Sequence, residues 1–410
     1  MKKNNYKYDI TIIGAGLVGL VISLMLASKK IKVCIIEKNK LSNLKKNRDK
    51  RTTAISQGSK RILNEFGLWN KISKYAQGIK EIHVSEGIKN RNLKFDSKKV
   101  NNDNLGYIIN NRIFKNFLLN LAINNKSIDF YDNSPVNELI NLEASDKKIS
   151  TQIIAGEKLF KSNLVIVADG RESNIRSLNN IKTYEYDYKQ NAYVFYIEHK
   201  RNHKGIALER FFPEGPLAIL PMKEKNSKMF LSSVVWTLES SLGDFSKLTK
   251  REFREEFLLK YSNFFGELGM VSKPQRYPLN LKYAYDSVVN NMVLIGDASQ
   301  AIHPIAGQGF NLGIRDCFGL FNEIFAARLS GKAMDDYSFL KNFENKRILD
   351  KTVFIQTTDL LNKLFSNNNK YVAMIRSLGL EIVNEVQPLK NQLMFVAMGI
   401  RNFGLTSLFR

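Results

Sequence analysis

Apolar residues open this chain in a strand, turn, helix, strand rhythm. Asp9–Ile13 is a short run of β-formers, Leu17–Ser28 is mostly apolar and of helical length, and Lys32–Glu37 reads as a second strand. Together they predict one βαβ unit. The polar stretch Lys38–Lys50 is dense in Lys and Asn, has no period, and predicts a loop. Helices are expected around Gln57–Phe66 and around Arg112–Asn124, where Ile113, Phe117, Leu118 and Leu121 keep helical spacing. Ile128–Tyr131 and Leu164–Ala168 return as short strands. From about residue 184 to 280 the pattern changes to alternation, with strands at Ala192–Glu198, Ala207–Phe212, Pro216–Pro221 and Met229–Trp236. That pattern predicts an inserted antiparallel sheet. Met292–Ile295 resumes the first pattern, Gly309–Leu329 is a long helix, and the chain from about 350 onward is helical and amphipathic. No internal repeat is present. The expected fold is α/β: a Rossmann-like nucleotide-binding domain with an inserted antiparallel β-sheet substrate domain and a helical C-terminal region. The expected divisions are 1–183, 184–283, 284–349 and 350–410.

Composition changes this picture little. A chain of 410 residues, 44% hydrophobic and 25% charged, has ample surface to bury in a core. Lys and Arg number 62 against 39 Asp and Glu, which gives a net charge of +23. No zinc-finger spacing, RNA-binding signature or basic–aromatic alternation accompanies that charge, so nucleic acid is not an expected partner. Attraction to an anionic membrane face and a Lys-rich bias spread over solvated faces both stay open. Cys34 lies in an apolar strand and Cys317 in a helical pattern, and both read as inert thiols of a reducing compartment. No stretch reaches the roughly 18 uninterrupted apolar residues of a membrane span. The basic start MKKNNYKYDI runs directly into the first strand, and cleavage there would destroy the glycine turn behind it. A cytoplasmic protein is expected, with contact at the inner face of the cytoplasmic membrane as a consequence of the charge.

Chemistry concentrates in three segments. In Gly14-Ala15-Gly16-Leu17-Val18-Gly19, Gly14 permits the tight turn, Gly16 admits a pyrophosphate and Gly19 lets the helix pack near the strand. The helix N-terminus then offers free N–H groups to phosphates. Glu37, 18 residues beyond Gly19, is placed to accept from a ribose hydroxyl, and Lys38 follows it. The second segment is the strand end Ala168-Asp169-Gly170, with Ser173 and Arg176 on the next turn. In the third, Gly296-Asp297 brings a carboxylate to a strand end. His303, Pro304, Gly307 and Gln308 then form a loop into the helix that opens with Gly309, Phe310 and Asn311. Two nucleotide-facing strand ends this far apart call for a ligand long enough to span the domain, and FAD meets that requirement. The Gly307–Gly309 loop would aim free N–H groups at the edge of the flavin that becomes negative on reduction. His303 is read as a residue shaping the pocket loop; no acid–base catalyst and no metal site is assigned.

The three segments, in this order, resemble the aromatic-ring hydroxylase class of single-component flavoprotein monooxygenases. Within it the chain resembles the ubiquinone-biosynthesis hydroxylases through Ala301–Gly313, Leu208–Pro221, Tyr188–Ala192, Val234–Trp236 and tail segments around Leu364, Arg376 and Ala397. The resemblance implies a flavin reduced by NAD(P)H and then using O2 to hydroxylate an electron-rich ring carbon of a polyprenylated phenol. It carries Gly14, Gly16, Gly19 and Glu37 onto ADP-binding positions and Asp297 onto the ribityl-binding aspartate. Arg51 falls on a phosphate-holding arginine, Arg112 on a flavin-contacting position, Val136 on the residue whose backbone meets the adenine, and Asp169 on the acidic turn. Phe211, Phe212, Leu217, Ile219 and Pro221 are expected to roof the substrate pocket. Two rivals share the first loop: a flavin-dependent reductase of isoprenoid double bonds, and a non-catalytic FAD-binding accessory protein of the biosynthetic complex. The Gly307–Gly309 loop argues against the second. Basic residues beside apolar stripes in the tail (Leu360, Leu364, Leu378, Leu380, Leu393, Phe395, Met398 and Ile400 among Lys370, Lys390, Arg376 and Arg401) suit either an interfacial helix or packing on the enzyme's own core.

Overall fold

Ile10, Ile12, Val33, Ile35, Leu164 and Ile166 share one face of a parallel sheet, while Ile13, Cys34, Ile36, Val165 and Val167 share the other. Both faces are apolar, so both must be covered. The computed structural model describes residues 5–46, 49–87, 92–99, 104–143, 149–223, 228–304, 307–365 and 383–399. Its parallel sheet runs in the order Met292–Leu294, Lys158–Val167, Asn5–Ile13, Val33–Ile36, Ile128–Tyr131. Helices Leu17–Ser28, Asn111–Ile123 and Gly309–Leu329 cover the first face through Leu20, Met25, Phe114, Leu118, Leu320 and Ile324. The hairpin Val136–Glu143 and Ile149–Ala155 lies toward the second. Each fully buried Leu, Ile or Phe contributes about 1.5–3 kcal/mol.

The second large sheet is mainly antiparallel, in the order Gln275–Ala284, Thr183–His199, Phe230–Glu239, Gly215–Pro221, Ile206–Phe212, Glu81–Glu86, Asn92–Asp96. Its last two strands come from residues far upstream of the alternating stretch, and Glu81–Glu86 pairs in parallel with Ile206–Phe212. Helix Lys250–Tyr261, started by a capping box between Thr249 and Glu252, lies behind this sheet with Phe253, Phe257 and Tyr261. A small sheet of Thr52–Ser56, Gly106–Asn110 and Gln77–Ile79 faces its other side.

The expected fold class is met. One local expectation changes. Within the stretch expected as loop, Leu41–Lys46 forms a short helix because Leu44 finds a buried place. The tail forms helices Tyr337–Phe365 and Gln387–Ala397. Met394 and Met398 are buried against Met222, Ile79 and Ile108, and the Gly58 amide donates to the Met398 carbonyl at 2.9 Å. Ile305, Ala306, Lys370, Arg376, Leu378, Leu380, Ile400 and Arg401 lie outside the described residues.

Candidate functional site

The fold brings the three segments to one end of the parallel sheet. Ala168 N–H donates to the Ile13 carbonyl at 2.8 Å, and Ile295 N–H to the Val167 carbonyl at 3.0 Å, which sets the three strand ends side by side. Gly14 has φ +104°, and a Cβ there would lie 2.5 Å from the Ala168 carbonyl oxygen. A Cβ on Gly19 would lie 2.1 Å from the Gly14 oxygen. Gly16 differs: its nearest neighbour would be 3.8 Å away, so its face opens outward from the turn. On the third segment, a Cβ at Gly296 or Gly313 would press on Val18.

Two helix N-termini at this end have no side-chain cap, Leu17–Ser28 behind Gly16 and Gly309–Leu329 behind Gln308. By contrast, Ser56, Asn110 and Ser173 each cap their own helix from the side chain. Open N–H groups carry partial positive charge and suit an anionic ligand. Space is open around Gly309 as well. Glu37 is buried, and its carboxylate accepts from Ala15 N–H at 2.8 Å and from the backbone and side chain of Asn39 at 2.9 and 2.8 Å. It therefore ties the glycine turn to the end of the second strand, with Lys38 exposed beyond it.

Asp297 is the most distinctive group. Its side chain is open to the cleft and has no hydrogen bond or ion pair to a described residue. Desolvation by the surrounding protein pushes its carboxyl above the usual range, and Arg171, Arg51 and Arg176 pull it back. Asp169 is likewise raised by desolvation: Oδ2 accepts from Ile175 N–H at 3.3 Å, and Oδ1 is buried without a partner among the described residues. Arg176 is spent on carbonyls, reaching Ala298 at 2.8 Å.

Other expected residues have local duties. Arg51 is held by Asp49 at 2.8 Å and lies 5.1 Å over the Tyr277 ring. Arg112 is exposed near the start of its helix. The Val136 carbonyl accepts from Asn174 at 3.0 Å. Asn311 Oδ1 accepts from Ser56 N–H at 2.9 Å and its amide donates to the Ala54 and Gly307 carbonyls, so it binds the small sheet to the loop. Phe310 packs on Phe114, and Gln308 is buried. His303 is buried, bonded to Gln190 at 3.1 Å and set edge-on to Tyr188, and burial lowers its pKa to about 3. It is neutral across the physiological range and shapes the loop behind Pro304. Burial pushes both cysteine thiols well up.

The roof expectation is corrected in its facing. Phe212, Leu217 and Ile219 pack with Phe253 and Phe257 behind the sheet. Strand alternation turns Ala218 and Leu220 the other way, opposite Val235 and Ser233, and Thr52 Oγ1 reaches Ser233 at 3.2 Å from the small sheet. Pro221 and Phe211 are buried at the strand ends.

A set of buried charges also supports the site without having been singled out in the sequence. Asp316, fully buried, accepts from Gly296 N–H at 3.0 Å and Gln300 Nε2 at 2.7 Å, and pairs with Arg347 at 2.8 Å. Arg347 also pairs with Asp350, which holds Arg315 at 2.9 Å. One turn on, Lys351 donates to Ser287 and Ser299 at 2.6 and 2.7 Å, while Glu344 accepts from the amides of Ser287 and Val288. Glu344, Arg347 and Lys351 share a face of helix Tyr337–Phe365 by their spacing, and that face grips the C-terminal end of strand Met292–Leu294 and the turn that follows it.

The chain belongs to the FAD binding domain family, matched over residues 7–351, and within it groups with the ubiquinone hydroxylases. It is 32% identical over 398 residues to the ubiquinone hydroxylase UbiL of Rhodospirillum rubrum, covering 97% of this chain and 90% of that protein. It is 27% identical over 402 residues to the 3-demethoxyubiquinol 3-hydroxylase of Escherichia coli, covering 97% of this chain and 100% of that one. Among solved structures, p-nitrophenol 4-monooxygenase PnpA of Pseudomonas putida superposes with a TM-score of 0.79 at 14% identity, over 96% of this chain and 98% of that one, which shows the fold. FAD fits the residues present. The outward face of Gly16, the Asp297 carboxylate, which has no hydrogen bond to a described residue, and the Gly309 terminus, which has no side-chain cap, offer space, an acceptor and donors to such a ligand.

Proposed function

We propose that this protein is a FAD-dependent monooxygenase that hydroxylates the aromatic ring of a polyprenylated phenol in ubiquinone biosynthesis, with NAD(P)H and O2 as co-substrates. The observation that carries this reading is the open Asp297 carboxylate beside the uncapped Gly309 helix, in a chain matching ubiquinone hydroxylases along nearly its whole length. FAD supplies the electron transfer from NAD(P)H and the activation of O2. The glycine turn, Glu37 and the first helix N-terminus hold its ADP half, and Asp297 accepts from its ribityl hydroxyls. The N–H groups behind Gln308 favour the negative charge that reduction brings. Ala218, Leu220, Val235 and the small sheet keep the ring in apolar surroundings and exclude water, which protects the reaction from losing its oxygen as H2O2.

No helix among the described residues is long and apolar enough to cross a membrane. The substrate is collected at a bilayer surface, at the inner face of the cytoplasmic membrane, or from a biosynthetic complex docked there. Incubating the FAD-loaded protein with NAD(P)H and a prenylated phenol tests the activity. Oxygen consumption matched by hydroxylated product supports it. Alkene saturation without oxygen would mark a reductase, and bound FAD with no substrate-stimulated NAD(P)H oxidation would mark an accessory protein.

A further inference from the structure

Strand Ile206–Phe212 contains adjacent charges, Glu209 and Arg210, and alternation sends them to opposite faces. Arg210 points behind the sheet, where it donates to the Tyr261 carbonyl at 3.2 Å. Glu209 lies opposite Ala218 on one side and Val84 on the other, and Ala218 lies opposite Val235, then Val194. This row belongs to the face turned toward the small sheet, beside the apolar cluster of Ala207, Leu220 and Tyr196. Glu209 is partly buried and has no hydrogen bond or ion pair to a described residue. Desolvation alone raises its pKa to about 7. Other titratable groups on this face include Glu86, Glu198, Tyr196, Tyr277 and Glu239, with Asp49 and Arg51 from the segment opposite, and none acts on its charge. A desolvated carboxyl without a partner weakens the fold, so packing does not account for it.

We propose that Glu209 accepts the hydrogen bond of the substrate's phenol hydroxyl and carries that proton while the ring is attacked. The inference rests on the hydroxylase reading above. As the O–O bond derived from O2 breaks, with the two electrons of NAD(P)H, one oxygen bonds to the ring carbon and the other leaves as water, while the phenol O–H proton passes to the Glu209 carboxylate and the ring becomes a dienone. When that carbon loses its hydrogen as H+, the dienone oxygen takes the proton back from Glu209 and the aromatic phenol is restored. Overall, ring C–H, O2, NAD(P)H and H+ give ring C–OH, H2O and NAD(P)+. A carboxyl poised near neutrality suits such a shuttle.

The test compares the FAD-loaded wild type with Glu209→Gln, which removes no protein contact. Affinity is measured for a short-chain prenylated phenol and for its methyl ether, together with turnover across pH. The variant is expected to keep FAD and to melt no lower than the wild type. Phenol binding should weaken roughly tenfold or more with methyl-ether binding unchanged. Turnover should fall about 10²–10⁴-fold, and the rise of kcat/KM through about pH 7 should vanish. Wild-type turnover with the same pH profile, or equal loss for phenol and ether, would overturn the proposal. If the wild type hydroxylates no prenylated phenol, the hydroxylase reading fails. The phenol and ether affinities still decide Glu209: selective loss supports its contact with the hydroxyl, and unchanged phenol affinity overturns it.

Discussion

Gly16 and Gly19 stand three residues apart and should fail in different ways when substituted. A Cβ at Gly19 would collide with the Gly14 carbonyl, so Gly19→Ala is expected to destabilise the protein itself by about 1–3 kcal/mol, visible in the melt of the apoprotein. Gly16 has room on the protein side, so Gly16→Val should leave a folded chain that no longer retains FAD. Full flavin occupancy after that change would remove the first loop from the site. Asp297→Ala should weaken FAD binding while leaving the apoprotein melt nearly unchanged, since the carboxylate has no hydrogen bond or ion pair to a described residue to lose. Glu209 has a separate thermodynamic signature. Its pKa is raised from 4.5 to about 7 in the folded chain, so between those values the folded state binds more protons than the unfolded state. Stability attributable to this group must fall as pH rises through that window and level off above it. Glu209→Gln should match the wild type below pH 4.5 and be more stable above 7, by on the order of 3 kcal/mol at most. Melting temperatures of both proteins across pH would check the sign.

At the scale of elements, helix Tyr337–Phe365 sets the position of the Asp297 turn from behind. A buried ion pair is a weak source of net stability, yet removing one partner strands the other. Arg347→Met leaves Asp316 without its cation at a fully buried site, and a loss of about 3–5 kcal/mol is expected. Because Asp316 also holds Gly296 N–H, FAD affinity of the folded fraction should fall too. A lower melt with unchanged FAD affinity would make the network structural only. None of this was legible in the sequence: a separation of 31 positions between Asp316 and Arg347 carries no periodic mark of a contact made only by tertiary packing. The glycine turn, the strand ends and helices Leu17–Ser28 and Gly309–Leu329 were legible, because local φ requirements and apolar period act over a few residues. The facing of Gly215–Pro221 was not. Leu217 and Ile219 alternate with Ala218 and Leu220, all four are apolar, and only the helix carrying Phe253 and Phe257 breaks the tie. Glu209 did leave a mark, a carboxylate in an otherwise apolar strand beside an arginine it does not pair with.

For the whole molecule, the question is how so apolar a substrate reaches the cleft. Each buried CH2 contributes about 0.8 kcal/mol to leaving water, so a polyprenyl phenol stays with a bilayer or a protein carrier. The net charge of +23 draws the protein toward anionic lipid over about a Debye length. Apolar side chains are available to complete the contact: Leu360 is 65% exposed and Leu349 72% exposed on helix Tyr337–Phe365. In the tail, Met394 and Met398 are committed to the protein's own cluster, while Leu393 stays exposed. Truncation before Asn391 would therefore remove core contacts along with any membrane contact. Leu360→Asp and Leu393→Asp are cleaner, because each changes an exposed position. The expected outcome is flotation of the wild type with anionic but not neutral liposomes at low salt, weakening as salt rises. The double variant should float less while keeping its FAD and its activity toward a short-chain substrate delivered in detergent. Flotation of both proteins to the same extent would place the contact elsewhere. Absence of flotation at low salt would leave a protein carrier as the route by which substrate arrives.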